Sequence, residues 1–331
     1  MRVINENEVA ELLDMKELMD VLEDTFVEYS SGRTKTPLRI HMELDPGEGT
    51  GLIMPSWLEI EKHLGVKSVC IFPGNPKKNL PAIQGTMQLF DGETGAPISI
   101  MGAHVLTKYR TGASSGVAAR YLTPKSTEEA AIIGTGGQAF EQLKAMVVAV
   151  PGIKRINLHN RTIDKARRFK NAAEQLFPEI EFRVMESAAR AVKEAQLITT
   201  CTNSIQPVFQ FRDMGEEKVH VNAVGAFKPN MQEIDTEVIL AADKIIVDNM
   251  EGALTEAGDL YVPLNEEDCA FTRDDVNGEI GEVIAGGLSG RKGEDGVTLY
   301  ESVGMGCLDV AAAFLVYQRA VKAGIGTHIE W

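Results

Sequence analysis

AAIIGTGGQA, residues 130–139, joins a short apolar run to a glycine-rich turn that opens a helix-forming segment. The spacing Gly134-x-Gly136-x-x-Ala139 is a variant of the dinucleotide-binding fingerprint. In that motif the first glycine allows a tight turn, the second admits a pyrophosphate close to the backbone, and a small third residue lets helix and strand pack. The stretch therefore predicts a phosphate-binding turn at a helix N-terminus, although a plain strand-to-helix turn has the same pattern.

Beyond this turn, apolar runs alternate with helix-forming segments. The expected strands are residues 130–134, 154–159, 181–184, 197–202, 219–224 and 244–248, and the expected helices are residues 138–150 and 162–177. Strands that alternate with helices indicate a parallel, doubly wound sheet. The sequence therefore predicts an α/β fold with a Rossmann domain.

The earlier part of the chain has a different pattern. Residues 7–30 carry apolar side chains at helical spacing, and residues 52–106 hold short apolar runs cut by glycine and proline, with a turn signal at Asp91-Gly92. This pattern predicts a mostly antiparallel sheet with a flanking helix, which is an α+β domain. Residues 308–321 have the pattern of a buried helix, and we expect that helix to return to the first domain. The predicted domains are residues 1–118 with 306–331, and residues 119–305.

The length and charge of the chain limit the classes of function that it can have. The 331 residues suit two domains, and 33 Lys plus Arg against 48 Asp plus Glu give a formal charge of −15. So acidic a surface repels phosphate backbones and anionic membranes, and we expect neither nucleic acid nor membrane as a partner. The N-terminus has no signal-peptide pattern and the four cysteines are scattered, so a cytoplasmic location is expected. The six histidines show no metal-ligand spacing, and no metal is assigned.

The end of the second predicted strand bears on the cofactor. A domain that binds NAD commonly has an acidic residue there, which holds the ribose 2′-hydroxyl. Here the residues are Asn160, Arg161 and Thr162, and Arg161 could pair with a 2′-phosphate. We therefore predict NADP(H) as the preferred cofactor, with NAD(H) also admitted. A helix N-cap beside a solvated arginine is the alternative.

Two basic residues before the Rossmann domain are candidates for chemistry. Arg110 stands among small and hydroxylated residues, where its guanidinium could bind a carboxylate or phosphate, or form a structural ion pair. Lys67 alternates with apolar residues in the segment 65–69, and burial there would lower its pKa and suit it to acid–base work. A lysine on a solvated strand face is the alternative.

A collinear series of motifs runs along nearly the whole chain. It comprises Met54-Pro55, Gly65-Val66-Lys67, Gln84, Leu89-Phe90-Asp91, Arg110-Thr111-Gly112-Ala113-Ser114, Gly134–Ala139, Val221-Asn222-Ala223-Val224-Gly225, Pro229, Glu233, Asp235, Ser302-Val303-Gly304 and Asp309. In this series the chain resembles the ornithine cyclodeaminase/mu-crystallin family. The resemblance implies a nicotinamide cofactor on the Rossmann domain and a homodimer paired through the other, substrate-binding domain.

The resemblance also implies roles for single residues. Lys67 would be catalytic, and Arg110 with Arg39 would hold a substrate carboxylate. Cofactor contacts would fall on Arg110, Thr111, Gly134, Thr135, Gly136, Gly137, Gln138, Asn160, Arg161, Thr162, Thr200, Cys201, Thr202, Val224, Gly225, Ala226, Phe227, Ser302, Val303 and Gly304. The segment 160–162 looks like that of mu-crystallin, which uses NADPH.

Two positions depart from the family's pattern. Cyclodeaminases and alanine dehydrogenases of the family carry an aspartate where this chain has Phe227, and cyclodeaminases carry a glutamate where it has Leu52. Neither side chain here can accept a proton or pair with ornithine's terminal ammonium. We therefore expect an NAD(P)H-dependent reductase of cyclic imine carboxylates, such as Δ1-pyrroline-2-carboxylate or Δ1-piperideine-2-carboxylate. An ornithine cyclodeaminase, an alanine dehydrogenase-like enzyme and a non-enzymatic NADPH or ligand binder are the alternatives.

Overall fold

The structure, a computed structural model, describes residues 1–44 and 49–330. The strands are β1 (Arg2–Ile4), β2 (Thr34–Lys35), β3 (Ile40–Glu43), β4 (Thr50–Leu58), β5 (His63–Ile71), β6 (Ile83–Asp91), β7 (Pro97–Gly102), β8 (Glu129–Ile133), β9 (Arg155–His159), β10 (Glu181–Val184), β11 (Leu197–Thr200), β12 (Val219–Ala223), β13 (Ala242–Val247), β14 (Gly278–Glu279), β15 (Val297–Glu301) and β16 (Thr327–His328). The helices are α1 (Glu6–Leu12), α2 (Met15–Ser30), α3 (Ala103–Leu122), α4 (Ala139–Ala149), α5 (Ile163–Leu176), α6 (Ala188–Val192), α7 (Thr236–Leu240), α8 (Met250–Glu256), α9 (Gly258–Leu264), α10 (Ile280–Ile284) and α11 (Gly306–Ala323). Within the described ranges, none of these helices is long and apolar enough to cross a membrane.

The chain divides into two units. The first comprises residues 1–110 and 304–331, and the second comprises residues 111–303. One boundary falls inside α3 and the other just before α11, whereas the sequence predicts them at 118/119 and 305/306. Helix α11 therefore belongs to the first unit.

The sheet of the first unit is mostly antiparallel. Its strand order is β16-β1-β7-β6-β5-β4-β2, and β3 also pairs with β4. Antiparallel ladders join β4 to β5, β5 to β6 and β6 to β7, while β1 runs parallel to β7. The antiparallel sheet predicted for residues 52–106 is confirmed, as is the turn at Asp91-Gly92 between β6 and β7. Helix α11 packs against β4, β5 and β6.

The single helix predicted over residues 7–30 is wrong, because the structure breaks it into α1 and α2. Leu13 is extended, with φ −97° and ψ 126°. The Asp14 side chain then accepts a hydrogen bond from the Glu17 N–H at 2.9 Å and caps α2. An aspartate at this position satisfies a free N–H of the first turn, which favours a new helix start. The apolar spacing continues across the break, so periodicity alone does not reveal it.

The sheet of the second unit is parallel in every pairing that the structure describes, in the order β10-β9-β8-β11-β12-β15-β13-β14. The winding direction switches between β8 and β11, and ligands of such sheets bind beyond the carboxyl ends of the strands at that point. In register, one row across the sheet contains His159, Ile133, Thr200, Ala223 and Glu301. The segments that follow these residues therefore share one edge of the sheet. The α/β fold predicted from the sequence is confirmed.

The sequence-based prediction omits several elements of the structure, among them helix α3 and strand β15. Helix α3 has no apolar stripe, because Ala113, Val117 and Ala118 are among the residues buried on several of its sides. Strand β15 inserts between β12 and β13 although it follows both in the chain. The five residues of β15 include Thr298 and Glu301, so the segment lacks the continuous apolar run that indicates a buried strand.

Candidate active site

Lys67 lies on the buried face of β5. Gly65, Lys67 and Val69 alternate with less buried residues along the strand, and only 2% of the Lys67 side chain is exposed. Its register partners are Met54 of β4 and Met87 of β6, and both are buried. The solvated alternative for Lys67 is therefore wrong, and its neighbours within the sheet are apolar.

The ionic partner of Lys67 comes from helix α11. Asp309 lies in the first turn of that helix, and its Oδ2 is 2.6 Å from Lys67 Nζ. Its Oδ1 accepts a hydrogen bond from Arg110 Nε at 2.8 Å. One fully buried carboxylate thus joins the two basic residues that the sequence singles out. The ion pair considered for Arg110 is present, and its contact with a substrate carboxylate stays a prediction.

Close packing fixes the position of Asp309 relative to the sheet. Helix α11 begins so near β4 that a Cβ on Gly306 would lie 3.0 Å from the Pro55 carbonyl oxygen. Val310, the residue after Asp309, packs on β5. A Cβ on Gly65 of that strand would lie 3.0 Å from Val310 Cγ2. Two glycines therefore bring the first turn of the helix onto the strand of Lys67. The carboxylate is also stabilised by the positive end of the helix dipole.

Burial and charge act in opposite directions on Lys67. Its pKa falls from an ordinary 10.5 to about 7, chiefly because burial removes water from the ammonium. The positive charges of Arg110 and Arg39 also lower the pKa, whereas the Asp309 carboxylate raises it. A lysine with a pKa near 7 gains and loses its proton at neutral pH, as a general acid–base catalyst must.

Arg39 joins this group through the backbone at Gly304. Its Nη2 donates to the Gly304 carbonyl oxygen at 3.2 Å. Gly304 has a positive φ of 82°, and a Cβ there would collide with the Arg110 guanidinium. The structure therefore brings together Lys67, Arg110, Arg39 and Asp309, which we call the basic cluster. Its three cations and one carboxylate leave an excess of positive charge that suits a small anionic ligand.

The sheet beside the basic cluster is apolar at the position where cyclodeaminases of the family carry a glutamate. Leu52 is buried on the same face of β4 as Met54, and it pairs with Val69, two residues along from Lys67. Diagonal neighbours on one face of an antiparallel pair are within reach of each other. Among the described residues, the acid paired with Lys67 is Asp309. Position 52 therefore contributes an apolar surface here instead of a carboxylate.

In the second unit, the glycine-rich turn follows β8 as predicted. Gly134 has φ 98°, its N–H donates to the His159 carbonyl oxygen at 2.8 Å, and a Cβ there would lie 2.8 Å from the Cys201 carbonyl oxygen. At Gly136 and Gly137, by contrast, an added Cβ would meet no protein atom within 4 Å. Packing within the protein therefore does not explain these two glycines, whereas close approach of a phosphate group would.

Polar atoms of the same turn fit a dinucleotide. Thr135 Oγ1 and Gln138 Oε1 are buried, and within the described part of the chain neither has a hydrogen-bond partner. Such atoms are costly unless a ligand or water satisfies them. The Thr135 N–H donates to Asn160 Oδ1 at 3.1 Å, and Asn160 Nδ2 donates to the Thr162 carbonyl oxygen at 3.0 Å. Arg161 is exposed and has no ion pair within residues 1–44 and 49–330.

Glu233 has no assigned role in the sequence analysis, yet it connects two of the predicted cofactor segments. Its Oε1 accepts from the Thr202 N–H at 2.5 Å, and its Oε2 accepts from Thr200 Oγ1 at 3.0 Å and the Gly225 N–H at 2.6 Å. Burial raises the pKa of Glu233, and these hydrogen bonds oppose the rise. The Glu233 N–H is in turn bonded to Asp259 Oδ1 at 2.6 Å. One carboxylate therefore fixes the segments after β11 and β12.

The remaining predicted cofactor residues have varied surroundings. Those that follow the ends of the strands are Cys201 after β11, Val224, Gly225, Ala226 and Phe227 after β12, and Ser302 and Val303 after β15. Ser302 Oγ donates to Asp248 at 2.9 Å. Thr111 lies inside α3, where its carbonyl oxygen accepts from Gln142 of α4 at 3.3 Å. The contacts of all these residues with a cofactor stay predictions.

A parallel sheet whose winding switches beside such a turn belongs to the Rossmann class of nucleotide-binding folds. No group of three or more His, Cys, Asp or Glu residues that could hold a metal ion is found in the described part of the chain. The chain belongs to the ornithine cyclodeaminase/mu-crystallin family, whose model matches residues 2–324. The resemblance inferred from the motifs is thereby confirmed.

Individual relatives are similar over the whole chain. A Delta(1)-pyrroline-2-carboxylate reductase of Bacillus cereus is 39% identical over 331 residues, with 100% of both chains covered. The solved Thermococcus litoralis Delta(1)-pyrroline-2-carboxylate reductase, in complex with NADH and L-proline, has a TM-score of 0.94 and 33% identity, covering 99% of this chain and 100% of that one. An archaeal alanine dehydrogenase dimer with bound NAD has a TM-score of 0.92 and 33% identity, covering 100% of this chain and 99% of that one.

Proposed function

We propose that the protein is an NAD(P)H-dependent reductase of cyclic imine 2-carboxylates, with Δ1-pyrroline-2-carboxylate as the first candidate and proline as its product. The observation that carries the proposal is the buried basic cluster beside the apolar face of β4 and β5. Full-length similarity to pyrroline-2-carboxylate reductases supports the same substrate.

Each part of this reaction has a candidate group in the first unit. Arg39 and Arg110 would hold the substrate carboxylate, because guanidinium groups form paired hydrogen bonds with carboxylates. Lys67, with a pKa of about 7, would supply the proton that the ring nitrogen gains. A bound nicotinamide nucleotide supplies a hydride, so that one hydride and one proton together reduce the C=N bond. Leu52 would contact the apolar ring carbons.

The nucleotide would be held at the carboxyl edge of the parallel sheet. The turn at 134–138 and the N–H groups at the start of α4 would take the pyrophosphate. Thr135 Oγ1 and Gln138 Oε1 would then gain hydrogen-bond partners. A preference for NADP(H) over NAD(H) is a narrower proposal, and it depends on Arg161.

The Arg161→Ala variant is expected to weaken use of NADPH and leave use of NADH unchanged. A hydrogen bond to a charged group contributes roughly 1.5–3 kcal/mol, so the KM for NADPH should rise about 10- to 100-fold. Arg168→Ala, an exposed arginine on α5, is the matched control. Steady-state kinetics with both nucleotides measure the effect. An unchanged KM for NADPH in the Arg161→Ala variant would contradict the proposed contact between Arg161 and the 2′-phosphate.

The decisive assay combines Δ1-pyrroline-2-carboxylate with NADPH or NADH and follows the absorbance of the reduced nucleotide. A parallel reaction measures ammonia from ornithine with NAD alone. We expect the imine to consume reductant and ornithine to yield no ammonia. Ammonia from ornithine would indicate a cyclodeaminase, and alanine-dependent NAD reduction would indicate a dehydrogenase. Nucleotide binding without turnover of any imine or amino acid would indicate a binding protein.

A homodimer paired through the first unit is proposed as well. Around β3, the apolar side chains of Leu38, Ile40, Met42 and Leu44 are 37–54% exposed. Such exposure is typical of subunit interfaces. The double variant Ile40→Asp with Met42→Asp should therefore sediment as a monomer, whereas Leu240→Asp, an exposed leucine of the second unit, should not change the assembly. A wild-type monomer, or a dimer in the double variant, would refute this interface.

The proposed location is the cytoplasm. Cys70, Cys201, Cys269 and Cys307 are all free thiols, as expected in a reducing compartment.

A further inference from the structure

Asp309 has no part in the binding and proton-transfer steps proposed above, yet it contacts both groups that would perform them. Its side chain is fully buried, with one oxygen on Lys67 and the other on Arg110. The groups that face Lys67 from the surrounding elements are Asp309 on α11, Arg110 on α3, Arg39 before β3, Met54 on β4 and Met87 on β6. Within the basic cluster, Asp309 is therefore the one negative charge, and it offsets part of the charge of three cations.

Removal of that charge has a defined consequence for Lys67. Desolvation already favours its neutral form, and the two guanidinium groups add repulsion. Arginine does not lose its proton in proteins, so Lys67 is the group that can relieve the repulsion by becoming neutral. An amide at position 309 would keep the shape of the side chain without opposing this loss.

We propose that Asp309 is a positioning residue of the reaction proposed above, on which this inference rests. Its carboxylate holds the Lys67 ammonium and the Arg110 guanidinium in one orientation and keeps Lys67 protonated until the substrate carboxylate enters. The carboxylate acts through these two groups and takes no proton in the reaction. The close packing of α11 on β4 and β5 fixes the carboxylate in place.

The test compares wild-type protein with the Asp309→Asn and Asp309→Glu variants, each uniformly labelled with ¹⁵N-lysine. The Nζ signal that disappears in a Lys67→Met variant identifies Lys67, and its titration is followed by NMR. We expect a midpoint near pH 7 in the wild type. Loss of a contacting opposite charge should lower the midpoint by about one pH unit or more in Asp309→Asn. Asp309→Glu keeps the charge and should keep the midpoint.

The second readout is kcat/KM for imine reduction against pH. In Asp309→Asn, kcat/KM should begin to fall at the lower pH at which Nζ titrates in that variant. At pH 8 its kcat/KM should therefore be about tenfold below that of the wild type. An unchanged Nζ midpoint overturns the proposal, and so does a midpoint that moves without the pH profile. Failure of the wild type to reduce any cyclic imine overturns the proposed function instead, because the Nζ titration needs no substrate.

The Asp309→Glu variant provides a second test that does not depend on the folding of the Asp309→Asn variant. If Asp309→Asn fails to fold, Asp309→Glu still tests the positioning role, since it moves the carboxylate by one methylene and keeps its charge. We expect its Nζ midpoint to stay near pH 7 while kcat falls in protein that thermal unfolding shows to be folded at the assay temperature. A wild-type kcat in this variant overturns the positioning role.

Discussion

Lys67→Met should abolish imine reduction and leave nucleotide binding intact. Methionine has nearly the length of lysine, and position 67 already lies between Met54 and Met87, so the new side chain suits this face of the sheet. The Asp309 carboxylate keeps its contact with Arg110. The variant loses the proton donor, and general acid–base catalysis typically raises a reaction rate about 10²- to 10⁴-fold. It also loses a positive charge near the substrate carboxylate. We therefore expect kcat/KM to fall at least about 1000-fold.

The matched control is Lys16→Met, which removes an exposed lysine from α2. Nucleotide affinity, measured by quenching of protein fluorescence, should be the same in both variants and the wild type. Retention of a tenth of the wild-type kcat/KM in Lys67→Met would remove Lys67 from the mechanism.

The pH profile of the wild type tests the same group without a mutation. Lys67 is an ammonium below its pKa of about 7 and a neutral amine above it. If the ammonium donates the proton, kcat/KM for reduction is constant at lower pH and falls tenfold per pH unit well above 7. A profile that rises through pH 7 would instead assign Lys67 the role of a base.

Local sequence signals account for much of the second unit. The run at 130–139 contains the end of a strand, the turn and the start of a helix within ten residues, and each of these has its own short-range pattern. The alternation that follows indicates a parallel sheet, because consecutive parallel strands need a crossover. Strand β15 cannot be placed in this way, because its position between β12 and β13 depends on strand pairing that no local sequence pattern encodes.

The basic cluster could be predicted only in part. Lys67 is recognisable because it interrupts an apolar alternation, and Arg110 because it stands among small residues. Asp309 is 199 residues from Arg110 in the chain, and a single acid in an apolar helix does not show what it will contact. Glu233 is similar, because its three donors come from segments that meet it only after the sheet has formed.

Glu233→Ala should weaken nucleotide binding about 100-fold. The substitution leaves the Thr202 and Gly225 N–H groups and the Thr200 hydroxyl without their acceptor, and each buried donor without a partner costs about 1–3 kcal/mol. Part of this cost, roughly 3–5 kcal/mol for the three donors together, appears as lower stability, because water satisfies the same donors in the unfolded chain. The rest appears in the affinity, because the segments after β11 and β12 must be ordered again when the nucleotide binds. Fluorescence titration and thermal unfolding measure the two effects.

The Glu233→Gln variant separates positioning from simple loss of packing. Its amide fills the same volume, but one carboxylate oxygen becomes an NH₂ group that faces an N–H donor. One of the two segments should therefore stay bonded, and nucleotide affinity should fall between that of the wild type and that of Glu233→Ala. Glu216→Ala, which removes an exposed acid from the same unit, should leave affinity unchanged. If Glu233→Gln and the wild type bind nucleotide equally while Glu233→Ala is merely less stable, Glu233 supports the fold and does not position the two segments for binding.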